Sequence, residues 1–153
     1  MPLSPGPLRS KRGGPSRVGI MADELFDRLN GLASSRSLPA GTILFRRDEA
    51  SHFVYVVRSG EVALLWPDAE DAAPMEIAGP GSVVGLPAAI NGTYSVTAKT
   101  EVDSELGVVS AARVVELLET VPGFCRIAMR MMSHEVAKIR SSIAEHCWPI
   151  EVQ

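Results

Sequence analysis

The sequence predicts a mainly β domain, a sandwich or barrel of the jelly-roll kind, with flanking helices and one long helix at its C-terminal end. Three observations predict it. Between Thr42 and Val109, about seven or eight short β-type runs recur at regular spacing, broken by Gly, Pro, Asn and Asp. Aromatics make up only 5% of the 153 residues, while 13 are Gly and 11 are Pro, which suits a turn-rich β fold better than a bundle. From Pro122 the pattern changes to a helical period that holds to His146.

Residues 1–20, MPLSPGPLRSKRGGPSRVGI, read as a disordered basic tail. Pro, Gly and Ser dominate, no hydrophobic period is present, and Arg9, Lys11, Arg12 and Arg17 stand without an acid. The tail lacks the apolar centre of a secretory signal. Such an arm can touch nucleic acid or acidic lipid, or remain solvated. Residues 21–146 form the expected folded body. Residues 21–153 carry 11 basic and 18 acidic side chains, net −7, a poor electrostatic partner for DNA. Nowhere does an apolar run approach the roughly 18 residues a membrane span needs, so no transmembrane helix is expected.

Within the body, Leu25, Leu29 and Leu32 share one face of a short helix, with Asp23 and Glu24 near its start, where acids suit the dipole. Leu38-Pro39-Ala40-Gly41 makes a turn before the strand Thr42–Phe45. Phe53–Val57 is the next strand, Ser59-Gly60 reads as a two-residue hairpin turn, and Glu61–Trp66 returns. Asp68–Pro74 is an acidic exposed loop. Met75–Ala78, Val83-Val84, Tyr94–Lys99 and Glu105–Val109 supply the remaining strands. Ser110 is a good N-cap for Ala111–Glu119, and Pro122 suits the first turn of the long helix, predicted over 122–146. Residues 147–153 read as a C-terminal tail.

The chain is organised around Gly81–Ala98, GSVVGLPAAINGTYSVTA. Gly81 and Gly85 bracket an apolar pair, Pro87-Ala88-Ala89 opens a short helical turn, and Asn91-Gly92 marks the next turn. Glycine lets backbone N–H groups approach a ligand, and small residues at a helical turn leave those groups free for an anion. The same composition also makes an ordinary tight loop.

Along the long helix, Cys125, Met129, Met132, Val136, Ile139 and Ile143 step by four and three in alternation, a heptad seam. Phe124, Ile127, Ala128 and Met131 form a second apolar stripe in its first half. One stripe can dock on the β body while the seam meets a second copy of the helix. The alternative is a single helix packed wholly on its own barrel. Cys125 reads as a small core hydrophobe on that seam. With Cys147 it falls on one helical pattern, too far apart to pair, so a reducing, cytoplasmic location is expected.

The order of these residues resembles a known family. Leu38–Phe45, Phe53–Val62 and Gly81-Ser82-Val83-Val84-Gly85, continued by Val96–Thr100 and the helix from Pro122, look like the cyclic-nucleotide-binding domain of the Crp/Fnr regulators. The resemblance spans residues 22–145. It implies a double-stranded β-helix (jelly roll), a dimerisation helix and a small-effector pocket between barrel and helix. By position in the family loop, Gly85, Leu86, Ala88, Ala89, Gly92, Thr93, Tyr94 and Ser95 would line that pocket. Two functional residues of the family are missing. The glutamate that binds the ribose hydroxyl is replaced by Leu86, and the phosphate-binding arginine by Gly92 in a shortened loop. No Arg or Lys lies between Arg58 and Lys99. Burying a cyclic phosphate without a cation is costly, so tight binding of cAMP or cGMP is not expected.

The chain ends at Gln153 with no helix-turn-helix after the long helix, so direct DNA reading is not expected of it. Enzymatic readings lack motifs: His52, His134 and His146 are not spaced as cupin ligands, no nucleophile is paired with a base, and no metal site is expected. The resemblance leaves a haem sensor as a further reading, with His134 and Met131, Met132 or Cys125 as axial ligands. The sequence therefore predicts a homodimeric regulatory sensor with a degenerate phosphate loop and no assigned cofactor. An alternative is a structural domain that pairs with a regulator through its long helix.

Overall fold

A computed structural model describes residues 21–66 and 73–151, and within them the side chains of residues 24–144. The basic tail and most of the acidic loop at 68–74 lie outside the described residues.

The chain runs α1 (Met21–Leu32), β1 (Ser34–Leu38), β2 (Ile43–Phe45), β3 (Phe53–Ser59), β4 (Val62–Leu65), β5 (Glu76–Ala78), β6 (Val83–Val84), α2 (Leu86–Asn91), β7 (Thr97–Thr100), β8 (Ser104–Ser110), α3 (Ala111–Thr120) and α4 (Phe124–Glu151). Its strands make two antiparallel four-stranded sheets, ordered β1-β8-β3-β6 and β2-β7-β4-β5. Val57, Val84 and Leu106 of the first sheet and Phe45, Val62 and Ala98 of the second share one buried cluster, so the two sheets close on each other as a jelly roll. This is the predicted fold class.

Two apolar clusters fill the structure. One, on the helical side, joins Leu25 and Leu29 of α1, Val54 and Val56 of β3, Val114 and Leu118 of α3, and Phe124, Ile127 and Ala128 of α4. The other, inside the barrel, joins Phe45, Val57, Val62, Val84, Tyr94, Val96, Ala98 and Leu106. α2 bridges them, since Leu86 belongs to the first and Ala88 to the second.

Several predicted elements differ. Ser59-Gly60 is not a hairpin turn, because β3 and β4 belong to different sheets. Here the chain crosses between sheets, pressed against Ser104. Gly60 takes φ 94°, and a Cβ there would come within 2.7 Å of the Ser104 backbone. β1 escapes the hydrophobic pattern because SSRSL is an almost wholly exposed edge strand. Regular pairing of β7 begins at Thr97, not Tyr94. The Tyr94 carbonyl accepts from the Asp48 N–H (2.8 Å) and its own N–H donates to the Glu49 carbonyl (3.0 Å), tying this stretch to the loop before β3. Ser110 does cap α3, its hydroxyl accepting from the Arg113 N–H at 3.2 Å. Pro122 lies in a turn rather than in the first turn of α4, and Gly123 at φ 92° precedes the helix start. The helix also continues past His146 to Glu151, over residues predicted as tail.

Candidate functional site

The Gly81–Ala98 stretch lies between the barrel mouth and α4. Gly85 caps α2 in the left-handed region at φ 90°, without a side-chain cap. A Cβ at Gly85 would stand 3.3 Å from the Tyr94 ring and 3.5 Å from Phe45. Glycine is therefore fixed here by conformation and by the close approach of these two rings.

Those rings occupy the space beneath the loop. Phe45 and Tyr94 stack with centroids 3.7 Å apart at 7°, and Tyr55 stands 6.0 Å from Phe45. The Tyr94 hydroxyl donates to the Phe53 carbonyl at 2.6 Å and is within 3.3 Å of the Phe53 N–H. That hydroxyl is thereby committed, as donor and as acceptor, to the Phe53 backbone of β3. Burial pushes the Tyr55 phenol up, with Tyr94 adding to the shift and Arg36 opposing it.

The predicted loop residues take different places. Gly85, Ala88 and Tyr94 come together around the aromatic stack. Leu86 is fully buried in the helical-side core, and Ala89 packs against that core. Gly92 and Thr93 are exposed, with Thr93 bridging to Ala50. Ser95 turns toward α4, where its hydroxyl donates to the Glu135 carboxylate at 2.8 Å.

Sequence reasoning missed this last feature. Glu135, His134, Glu76 and Ser95 form a polar cluster where α4 crosses the barrel. His134 Nε2 lies 3.1 Å from Glu76 Oε2. Burial raises the Glu135 pKa, the Ser95 hydrogen bond lowers it, nearby Glu76 raises it further and His134 lowers it. No sequence motif marks these residues, because the fold brings β5, the loop before β7 and α4 together.

No Arg or Lys side chain is hydrogen-bonded in this cluster among the described residues. Arg58, the last cation before the basic-free stretch, is committed elsewhere: its Nε donates to Asn30 Oδ1 at 2.6 Å and Nη1 to the Ser35 hydroxyl. A hollow of about 440 Å³ opens instead between α1 and α3, beside Arg28, Arg113 and Glu116, and contains none of the predicted loop residues.

On α4 the second stripe faces inward, with Phe124, Ile127 and Ala128 buried and Met131 packed on the same core. The heptad seam divides. Met129, Val136 and Ile143 are exposed at 61, 51 and 43%, at successive intervals of seven. Met132 is half-buried, and Ile139 packs against the barrel cluster of its own chain. Cys125 is exposed, not a core hydrophobe, because its neighbours Phe124 and Ile127 take the inward positions. It lies on one continuous helix with Cys147, about 33 Å away along the axis. Of the suggested haem ligands, His134 contacts Glu76, Met131 packs on the helical-side core, Met132 is half-buried and Cys125 is exposed. Among the described residues no helix is long and apolar enough to cross a membrane.

Comparison with known proteins agrees with this architecture. The family model for the cyclic nucleotide-binding domain matches residues 35–121. The transcriptional activator protein Anr of Pseudomonas aeruginosa is 35% identical over 104 residues, covering 66% of this chain; the chain spans 42% of Anr's length. The c-di-GMP-responsive regulator CLP of Xanthomonas campestris has a structure similar over 81% of this chain and 65% of its own, at 21% identity and a TM-score of 0.62. FixK2 from Bradyrhizobium japonicum is similar over 73% of this chain and 56% of its own, at 19% identity and a TM-score of 0.60. These two structures share the fold. The matched family model covers more than half of the sequence, and the strand order and terminal helices follow the same plan: the chain belongs to the cyclic nucleotide-binding domain family.

Proposed function

We propose that this chain is a regulatory sensor module whose nucleotide site is degenerate, and that α4 is its output element. The observation that carries the reading is the chemistry of the barrel–helix cleft. A cyclic phosphate needs a cation to offset its desolvation, and a paired guanidinium supplies it best. In this cleft the family's arginine position is Gly92, the stretch between Arg58 and Lys99 has no basic residue, and the nearest ionisable groups on α4 are Glu135 and His134. The stacked Phe45 and Tyr94 add to the obstruction. An anionic nucleotide would meet carboxylates and two committed rings. The module accordingly holds neither cAMP nor cGMP tightly. Its effector is uncharged and largely apolar, or the pocket stays closed.

The exposed line of Met129, Val136 and Ile143 is the surface through which α4 meets a second copy, making a homodimer. The module contacts DNA only through other protein: with 18 acidic against 11 basic side chains, residues 21–153 repel a phosphate backbone. It performs no catalysis. A second reading, a purely structural domain pairing with a regulator through α4, is favoured by the same exposed line.

Thermal unfolding in the presence of a panel of small apolar compounds and cyclic nucleotides separates the two readings. A sensor gains several degrees with some apolar compound and none with cyclic nucleotides, whereas a structural domain gains with nothing. Light scattering tests the pairing: a dimer is expected, and a monomer at high micromolar concentration would remove both readings.

A further inference from the structure

The second half of α4 is held to the barrel by an arrangement unlike the apolar packing of its first half. His134 reaches Glu76 on β5, Glu135 reaches Ser95 ahead of β7, and Ile139, one turn further, lies on the barrel cluster. On the opposite side of this stretch, Val136 and Ile143 are exposed. Each polar contact includes a carboxylate, and the two carboxylates are held near one another.

We infer that Glu76, Ser95, His134 and Glu135 form a proton-operated latch, which draws the second half of α4 onto the barrel when the cluster takes up a proton and loosens it when the proton leaves. This deepens the proposed function and rests on its reading of α4 as the output element.

The charge balance gives the direction. Glu135 is faced by Glu76 from β5, by the Ser95 hydroxyl from the loop before β7, and by His134 from its own helix. Lys138, one turn along α4, makes no ion pair with it among the described residues. With both glutamates ionised, docking α4 brings two negative charges together in a half-buried place. A proton on Glu135 removes that repulsion. The Glu135 pKa is raised above its ordinary 4.5 in the docked helix, chiefly by burial. The docked form therefore gains stability as pH falls through the raised value. That gain is complete below the ordinary value, and it is lost as pH rises again through the raised one. The latch closes on acidification and opens toward neutral pH, altering how Val136 and Ile143 are presented to a partner.

Native-state hydrogen exchange of the full chain tests this directly, corrected for the intrinsic pH dependence of exchange and recorded without nucleotide. Protection of the amides of residues 134–142, relative to those of β3, is expected to rise severalfold as pH is lowered from about 8 to about 5. One proton limits the rise to about tenfold per pH unit. In Glu135→Gln the same amides stay protected and the profile is flat. Two further variants move the transition in opposite directions. Ser95→Ala removes a hydrogen bond to the carboxylate and shifts the midpoint up; Glu76→Gln removes the facing charge and shifts it down. Opposed shifts support the latch even if Glu135→Gln does not fold. A flat wild-type profile, a fall in protection on acidification, or shifts in the same direction would overturn it. These outcomes are independent of the nucleotide reading: cyclic-nucleotide binding would end that reading and leave the pH profile standing, and a flat profile would do the reverse.

Discussion

The two halves of α4 meet the same domain by different physics. In the first half, Phe124, Ile127 and Ala128 are buried against α1, α3 and the first sheet, and Arg28 lies 5.9 Å over the Phe124 ring. In the second half, contact rests on two polar pairs and on Ile139, with an exposed apolar line behind them. Apolar burial is non-directional and nearly independent of pH, so it fixes the helix root permanently. Hydrogen bonds between ionisable groups contribute less net stability and respond to conditions. A helix that must carry a signal gains from being anchored at one end and adjustable at the other.

The largest expected effect breaks the first half. Ile127→Ala opens a cavity in the helical-side core and should cost about 3 kcal/mol, read from the denaturation midpoint. A loss below about 1 kcal/mol would mean that the root is no firmer than the rest. Tyr94→Phe comes next, because it leaves the Phe53 carbonyl without its 2.6 Å partner; about 1 to 2 kcal/mol is expected by the same measurement. Ile139→Ala is milder, about 1 kcal/mol, since the residue is only partly buried on the barrel. If it equals Ile127→Ala, the proposed contrast between the halves disappears. The smallest change in stability is expected from Val136→Glu, within about 0.5 kcal/mol for the isolated chain because the side chain is half exposed. Its effect lies in self-association, which sedimentation should show weakened by about tenfold or more. An unchanged dimer would place the pairing surface elsewhere.

Where burial is regular, the fold was legible in the residue pattern. FVYVV alternates strongly enough to place β3, Leu25 and Leu29 place the face of α1, and Ser110 caps α3 as its position suggests. Where backbone bonding or tertiary approach decides, the pattern is silent or misleading. β1 has no apolar period because it is an exposed edge, and Ser59-Gly60 looks like a hairpin turn although it crosses between sheets. The lack of Arg and Lys between Arg58 and Lys99 could be read directly from the residues, since it is an absence along one stretch. The acidic cluster could not. Glu76 and Glu135 are distant in sequence, and nothing local to either residue marks it.

The central claim is that this cleft cannot hold a cyclic phosphate, and calorimetric titration with cAMP and with cGMP tests it most directly. The account predicts no saturable heat from either nucleotide into the high micromolar range. Low-micromolar affinity for either one, with its phosphate paired to an arginine supplied by α4 or by a second subunit, would contradict it.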